Sequence, residues 1–336
     1  MPREKTINFN DQSLDLKLRP NIWEEYVGQE PIKKNLQILL KAAAERNEPI
    51  EHLLLHGPAG LGKTTLAHLI AKEAGAGMKI TSGPTIERVG DLASVLTNLN
   101  PGEILFIDEV HRLNKLIEEV LYSAMESRTL NIIIGKGPSA RTIQLDLSPF
   151  TLIAATTRIS LLSSPLRSRF SGGTYRLDFY SPQEIENILN RSAKILNVKI
   201  EPEARFEIAK RSRATPRIAN HLLKRCRDFA QVNKKDCLDL ETTKKTFGLL
   251  EIDEAGLEPA DRRILEVLIT KFNGGPVGLQ TLAAATSEEE GTIEEVYEPY
   301  LIKLGFLDRT PRGRLATPRA YEHLHIKTPP SQEKLM

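Results

Sequence analysis

The sequence predicts an α/β fold, a parallel sheet sandwiched by helices, followed by a small all-helical module and a C-terminal winged helix. Three observations carry this. Up to about residue 155, short apolar runs alternate with segments of helical periodicity, an order that lays strands side by side with helices on both faces. Beyond Tyr180 the strand-like runs stop, and residues 181–250 keep helical spacing almost throughout. From residue 257, three short helical patterns lead into GFLDRTPRGRLAT (305–317), two strand-like arms around a basic turn.

The elements follow in order. Residues 1–17 are polar and read as a loose arm. A helix is predicted over Glu30–Arg46, where Ile32, Leu36, Leu39, Leu40 and Ala43 recur at helical spacing. His52–His56 is a short run stopped by Gly57-Pro58 and reads as a buried strand. A helix over Lys63–Ala74 precedes a strand near Met78–Thr81; a helix over Asp91–Leu99 precedes the strand Glu103–Asp108. A helix over Asn114–Glu126 and a buried strand over Phe150–Ala155 complete the alternation. Between these last two, residues 130–147 (LNIIIGKGPSARTIQLDL) place two β-prone arms around a Gly-Lys-Gly-Pro turn, an inserted hairpin. Ser181-Pro182 starts the helical module. The expected domains are therefore 1–180, 181–253 and 254–330.

Composition excludes several function classes. The 46 Lys and Arg are nearly cancelled by 44 Asp and Glu, so no overall field favours a polyanion and any basic surface must be local. No run drawn from AVILMFWYC exceeds four residues, against the roughly 20 of a spanning helix, so no membrane association is expected. Met1–Asp11 is polar and lacks the apolar stretch of a secretory signal. The two cysteines, Cys226 and Cys237, form no CxxC pair; a disulfide scaffold or zinc site is not expected, and a cytoplasmic location is. The 10 Phe, 7 Tyr and 1 Trp are scattered and offer no clustered platform for stacking bases. Local charge does occur near the C-terminus: between Lys303 and Lys327, six basic residues face only Asp308 and Glu322.

Two motifs carry chemistry. Gly57-Pro-Ala-Gly-Leu-Gly-Lys-Thr-Thr65 fits G-x-x-x-x-G-K-[ST] between a strand and a helix. Its glycines, Gly60 and Gly62 among them, let the backbone turn its N–H groups toward phosphate, and the helix N-terminus favours the same anion. Lys63 would reach the β- and γ-phosphates, Thr64 would ligate Mg²⁺, and Thr65 would support the phosphate contacts. The second motif, Ile104-Leu-Phe-Ile-Asp-Glu109, ends a buried strand in two acids. Asp108 would hold Mg²⁺ through water, and Glu109 would act as general base toward the attacking water. ATP and Mg²⁺ are the expected cofactors.

Together with Ala155-Thr-Thr-Arg158 and Leu166-Arg-Ser-Arg-Phe170, these motifs resemble those of the AAA+ ATPases. The longer stretches EYVGQ, GPAGLGKTTLA, LFIDEVHRL, SPLRSRF, TPRIANHLLKRCRDFA, GGPVGLQTLAAA and EPYLIKLGFLDRTPRGRLAT are similar to the RuvB family, bacterial AAA+ ATPases that drive branch migration of Holliday junctions. The resemblance runs from about Leu18 to His323. It implies an adenine pocket between Leu18, Arg19, Tyr26 and Val27 on one side and Tyr180 and Arg217 on the other. Arg217, following Thr215-Pro216, would sense the γ-phosphate; on a separate domain it can do so only when the domains close.

The same resemblance assigns Thr156 to positioning the attacking water, unless its hydroxyl serves the strand end instead. It assigns Arg169 to the finger that reaches a neighbouring subunit's ATP, with Arg167 as the alternative. Glu126, Ser127 and Arg128 also reach nucleotide in the family. The hairpin would dock on a RuvA-type junction-binding protein through Ile132, Ile133 and Ile134, unless these pack into their own domain. Arg309 and Arg314 would contact DNA phosphates from the wing, with a merely solvated wing as the alternative. Arg211, Arg213, Lys224, Arg225 and Arg227 read as solvated or intersubunit surface.

The implied activity is an ATP-driven motor that pumps duplex DNA during recombination and repair. Its implied partners are Holliday-junction DNA, a RuvA-type protein, a RuvC-type resolvase and further copies of itself in a hexameric ring. A clamp-loader-like ATPase and an ATP-gated DNA-binding regulator are the alternatives. The chain departs from the family pattern at Ala59, at Ala214, and in Ser171-Gly-Gly-Thr174, which runs one residue long.

Overall fold

The structure, a computed structural model, describes residues 14, 16–134 and 141–327. They fall into two compact units: one reaches Gly57 and resumes from Leu61 to Asp178, the other comprises Pro58–Gly60 and everything from Phe179.

In the first unit, α1 (Glu30–Arg46) leads to a parallel five-stranded sheet. Its strands are β1 (Leu53–His56), β2 (Met78–Ser82), β3 (Ile104–Asp108), β6 (Thr151–Thr156) and β7 (Thr174–Arg176), in the order β2-β3-β6-β1-β7. The three central strands are buried almost throughout, which is why they read as unbroken apolar runs. Helices α2 (Lys63–Glu73), α3 (Val89–Thr97), α4 (Lys115–Ser127) and the short α5 (Ser164–Ser168) pack around them. One core joins Leu54, Leu105, Ile107 and Leu152 of the sheet to Leu92, Leu96, Ile117, Leu121 and Phe170. Asn114 starts α4 by accepting the Ile117 N–H at 2.9 Å.

Strand β7 has no apolar signature and is not predicted from sequence. Backbone geometry makes it: the Gly172 N–H donates to the His52 carbonyl at 3.0 Å and the Leu54 N–H to the Gly173 carbonyl at 3.0 Å. A Cβ on Gly172 would lie 2.8 Å from Leu53 Cδ2 and 3.0 Å from the Glu51 and His52 oxygens, so only glycine can lie this close to β1. The long Ser171–Thr174 segment thus leads into the edge strand of the sheet.

The expected hairpin is present as β4 (Thr129–Ile134) and β5 (Arg141–Asp146), paired antiparallel from Thr129↔Asp146 to Ile134↔Arg141 in a sheet of their own. Leu130 and Leu147 at its base enter the core, while Ile143, opposite Ile132, is 43% exposed. The turn, and the side chains of Ile132, Ile133 and Ile134, lie outside the described residues.

The second unit begins with four helices, α6 (Pro182–Ile195), α7 (Pro202–Arg211), α8 (Pro216–Val232) and α9 (Leu240–Leu249). Ser181 opens α6 in a capping box, accepting the Glu184 N–H while Glu184 accepts the Ser181 N–H at 2.7 Å. The winged head follows: α10 (Pro259–Phe272), α11 (Leu279–Thr286), α12 (Glu290–Thr292), a π-helical turn Ile293–Tyr297, α13 (Glu298–Lys303), β8 (Leu307–Thr310), β9 (Gly313–Ala316) and α14 (Pro318–His323). β8 and β9 form the wing, and Val277 adds a bridge to Arg314.

The basic run of the helical module is not the open surface expected. Arg211, Arg213 and Lys224 are all buried. Arg211 bonds Glu207 at 2.6 Å and the Ile252 carbonyl at 3.1 Å and stacks 4.8 Å from the Phe247 ring centre. Arg213 bonds Asp261 of the head through both guanidinium nitrogens at 3.1 Å. Arg225 and Arg227 pair with Asp228. Arg211 and Arg213 are buried on carboxylates and carbonyls, with Arg211 Nε left without a partner among the described residues, an arrangement a charge count along the chain does not reveal. Among the described residues no helix is long and apolar enough to cross a membrane.

Candidate nucleotide site

Parallel pairing brings the carboxyl ends of β1, β3 and β6 together, with His56 level with Thr156 and Ile107 level with Ala154. Ligands of open α/β sheets bind along that edge. The glycine-rich loop leaves it after β1 with Gly60 at φ 79° and Gly62 at φ 93°. Gly62 sits directly before α2, where a Cβ would approach the Tyr26 hydroxyl to 3.3 Å.

Lys63, the first residue of α2, is 8% exposed, and its ammonium donates to the Gly57 carbonyl at 2.8 Å. Burial pushes that ammonium down to about 8, against the pull of Asp108 and Glu109. A dry cation at a helix N-terminus is a receptor for an anion. Thr65 is half-buried in the same helical turn.

The Thr64 hydroxyl lies 3.5 Å from Asp108 Oδ2, while Asp108 Oδ1 accepts the Glu109 N–H at 3.0 Å. Glu109 turns through the left-handed region at φ 47°, leaving its carboxylate half-exposed and 4.0 Å from Arg112. Among the described residues no group of three or more His, Cys, Asp or Glu could hold a metal. One hydroxyl beside one carboxylate instead fits Mg²⁺, which keeps water and takes phosphate oxygens from a nucleotide.

At the end of β6 the structure divides the two threonines. The Thr156 hydroxyl is engaged, 3.0 Å from His111 Nδ1 and accepting the Arg158 N–H at 2.9 Å. The neighbouring Thr157 Oγ1 is buried with no hydrogen-bond partner among the described residues. The Thr156 hydroxyl is thus bonded at the strand end, and the buried hydroxyl without a partner among the described residues is that of Thr157. Its signal in the sequence is only that a strand ends in two threonines.

Of the other expected nucleotide residues in this unit, Leu18 and Tyr26 are buried, and Arg19 and Val27 half-buried. Lys33 steadies this segment by donating to the Tyr26 carbonyl at 2.8 Å. Glu126, Ser127 and Arg128 are exposed at the end of α4, where Arg128 caps the helix at φ 55°. Arg169 joins them: it bonds Glu126 at 2.6 Å and lies 5.9 Å over the Tyr122 ring. Arg167 is exposed.

In the second unit, Tyr180 is buried and donates its backbone N–H to the Ala214 carbonyl at 3.0 Å. Arg217, in the first turn of α8, is exposed. The two wing arginines differ. Arg309 stands at the surface, its side chain 55% exposed and 3.0 Å from Glu294. Arg314 is buried on Glu298, bonded through two nitrogens, so the expected direct phosphate contact would require it to leave that carboxylate.

Family models match the whole of this arrangement. The Holliday junction DNA helicase RuvB P-loop domain matches residues 18–177, the RuvB AAA lid domain 180–253 and the RuvB C-terminal winged helix domain 254–325. Among solved structures, the Thermotoga maritima RuvB Holliday junction branch migration motor is 50% identical, with a TM-score of 0.86 over 93% of this chain and 100% of that one. A substituted form of the same protein, with alanine changed to serine, gives a TM-score of 0.87 at 50% identity over 93% and 99% of the two chains. Parallel AAA+ core, helical lid and winged head all agree, and the chain belongs to the RuvB family.

Proposed function

We propose that the chain is an ATPase that drives branch migration of Holliday junctions in DNA recombination and repair. The observation that carries this is the conjunction of a glycine-rich loop, with buried Lys63 facing Asp108 and Glu109, and a winged head in a chain of the RuvB family. The clamp-loader and regulator alternatives lose to the match of all three domains.

ATP would sit on the loop between Gly60 and Thr65, its phosphates on the Lys63 ammonium and the N-terminus of α2. Mg²⁺, held by Thr64 and through water by Asp108, would neutralise charge developing on the phosphates. Glu109 takes the proton of the attacking water, Thr157 orients that water, and Arg169 acts on the ATP of the next subunit. Leu18, Arg19, Tyr26, Val27 and Tyr180 hold the adenine, and Arg217 senses the γ-phosphate. The chain divides at 180 and 253. It works in the cytoplasm as a hexameric ring, with a RuvA-type protein on the hairpin and a RuvC-type resolvase at the junction. Arg309 meets duplex phosphates, a contact that fixes position without reading sequence.

The test is ATP-dependent migration of a synthetic four-way junction with the RuvA-type partner. Glu109→Gln should still bind ATP and assemble rings on duplex DNA while migration stops; monomers under those conditions would overturn the mechanism.

A further inference from the structure

The turn Ser212–Thr215 joins α7 to α8 and ends two residues before Arg217. Two consecutive non-glycine residues in it are left-handed, Arg213 at φ 53° and Ala214 at φ 54°. Such a backbone persists only where its surroundings over-determine it, and each residue of the turn is held. Arg213 grips fully buried Asp261 through two nitrogens at 3.1 Å, donates a third bond to the Val296 carbonyl at 3.2 Å, and lies 4.9 Å over the Tyr300 ring. Ala214 accepts the Tyr180 N–H at 3.0 Å, and the Thr215 hydroxyl donates to the Ser212 carbonyl at 3.2 Å.

Arg213 belongs to the lid; Asp261, Val296 and Tyr300 belong to the head. Val296 lies in the π-helical turn Ile293–Tyr297, and the two wing arginines are held at that turn and just beyond it: Arg309 on Glu294 within it, Arg314 on Glu298 one residue after it. One short chain of contacts therefore runs from the start of α8 through Arg213 to the turn that holds Arg309 and adjoins the Glu298 that holds Arg314. A buried ion pair is a poor way to gain stability, since desolvation offsets the attraction; its better-attested use is to fix register.

We propose that Arg213 is a positioning residue that ties Arg217 to the wing, so that nucleotide on the lid changes how the head holds DNA. The proposal rests on the γ-phosphate role of Arg217 given above. Coupling of this kind is reciprocal: nucleotide changes DNA affinity by the same factor as DNA changes nucleotide affinity.

The experiment measures both on the full-length chain, with duplex DNA by anisotropy with and without a non-hydrolysable ATP analogue, and analogue binding with and without duplex. The parent should show a coupling factor of about fivefold or more. Asp261→Asn and Arg213→Lys should each keep both separate affinities within about threefold of the parent while the coupling factor falls to about one. Arg213→Lys keeps a positive charge beside Asp261, and it carries the test if Asp261→Asn melts out. Coupling intact in a folded brace variant, or absent from the parent, overturns the proposal. Coupling lost in Arg217→Ala but kept in the brace variants also overturns it and leaves the sensor standing. Coupling lost in the brace variants but kept in Arg217→Ala upholds the brace and overturns the sensor reading instead.

Discussion

Arg169 donates to Glu126 across 2.6 Å, so the residue expected to act on a neighbour's nucleotide is held by a carboxylate of its own chain. Both side chains are partly solvated, 33% and 60% exposed, and such a pair contributes less than about 1 kcal/mol. The arginine can therefore exchange that carboxylate for a phosphate at small cost. Arg169→Ala should bind ATP within about twofold of the parent and lose turnover by about 10³ or more, as for other trans arginines. Arg167→Ala should lose less than about tenfold. Filter binding and phosphate release on both variants decide between the two; the reverse pattern moves the finger to Arg167.

The adjacent threonines of β6 should separate function from stability. Thr157→Val removes a buried hydroxyl with no partner among the described residues, so melting should hold while turnover falls by about 10²-fold through misplaced water. Thr156→Val strips the acceptor from the Arg158 N–H and should cost about 1–3 kcal/mol. Steady-state kinetics beside a thermal melt distinguishes the two, and unchanged turnover in Thr157→Val returns the water-positioning role to Thr156.

Lys63 makes nucleotide affinity depend on pH. Its folded value of about 8 lies below the ordinary 10.5 because burial penalises the charged form, which still predominates below pH 8. The cost of keeping it charged is present in full below about pH 8 and fades as the pH rises toward 10.5. Phosphate needs the ammonium, so binding above pH 8 must take up a proton. ATP affinity should be about tenfold weaker at pH 9 than at pH 7, with proton uptake visible by calorimetry in two buffers of different ionisation enthalpy. Binding at pH 9 without proton uptake refutes this.

The wing arginines should behave differently although the sequence presents them as a pair. Arg309→Ala removes one exposed cation and should lower the salt slope of DNA binding by about one. Arg314→Ala leaves Glu298 buried without its partner and should destabilise the head by about 3–5 kcal/mol. Melting curves and salt titrations of the two single variants check this; a stable Arg314→Ala with a lowered slope would place Arg314 on DNA.

The sequence alone determined the chemistry and most of the architecture. The phosphate loop, the acid pair and the alternation of runs are local patterns, because a buried parallel strand must be apolar along its length and a phosphate cradle must be glycine-rich. Helix α1 keeps its predicted ends, and β1, β3 and β6 begin and end within one residue of prediction. What only the tertiary structure decided concerns the partners of polar groups. Strand β7 has no apolar run because backbone proximity at Gly172, not side-chain burial, creates it. Thr156 and Thr157 are interchangeable letters until His111, 45 positions away in the chain, takes one hydroxyl and leaves the other. Arg213 reads as solvated or intersubunit surface and Arg314 as a DNA contact until folding brings Asp261 and Glu298 beside them. A charged side chain's role is set by the group across from it, and that group is supplied by the fold.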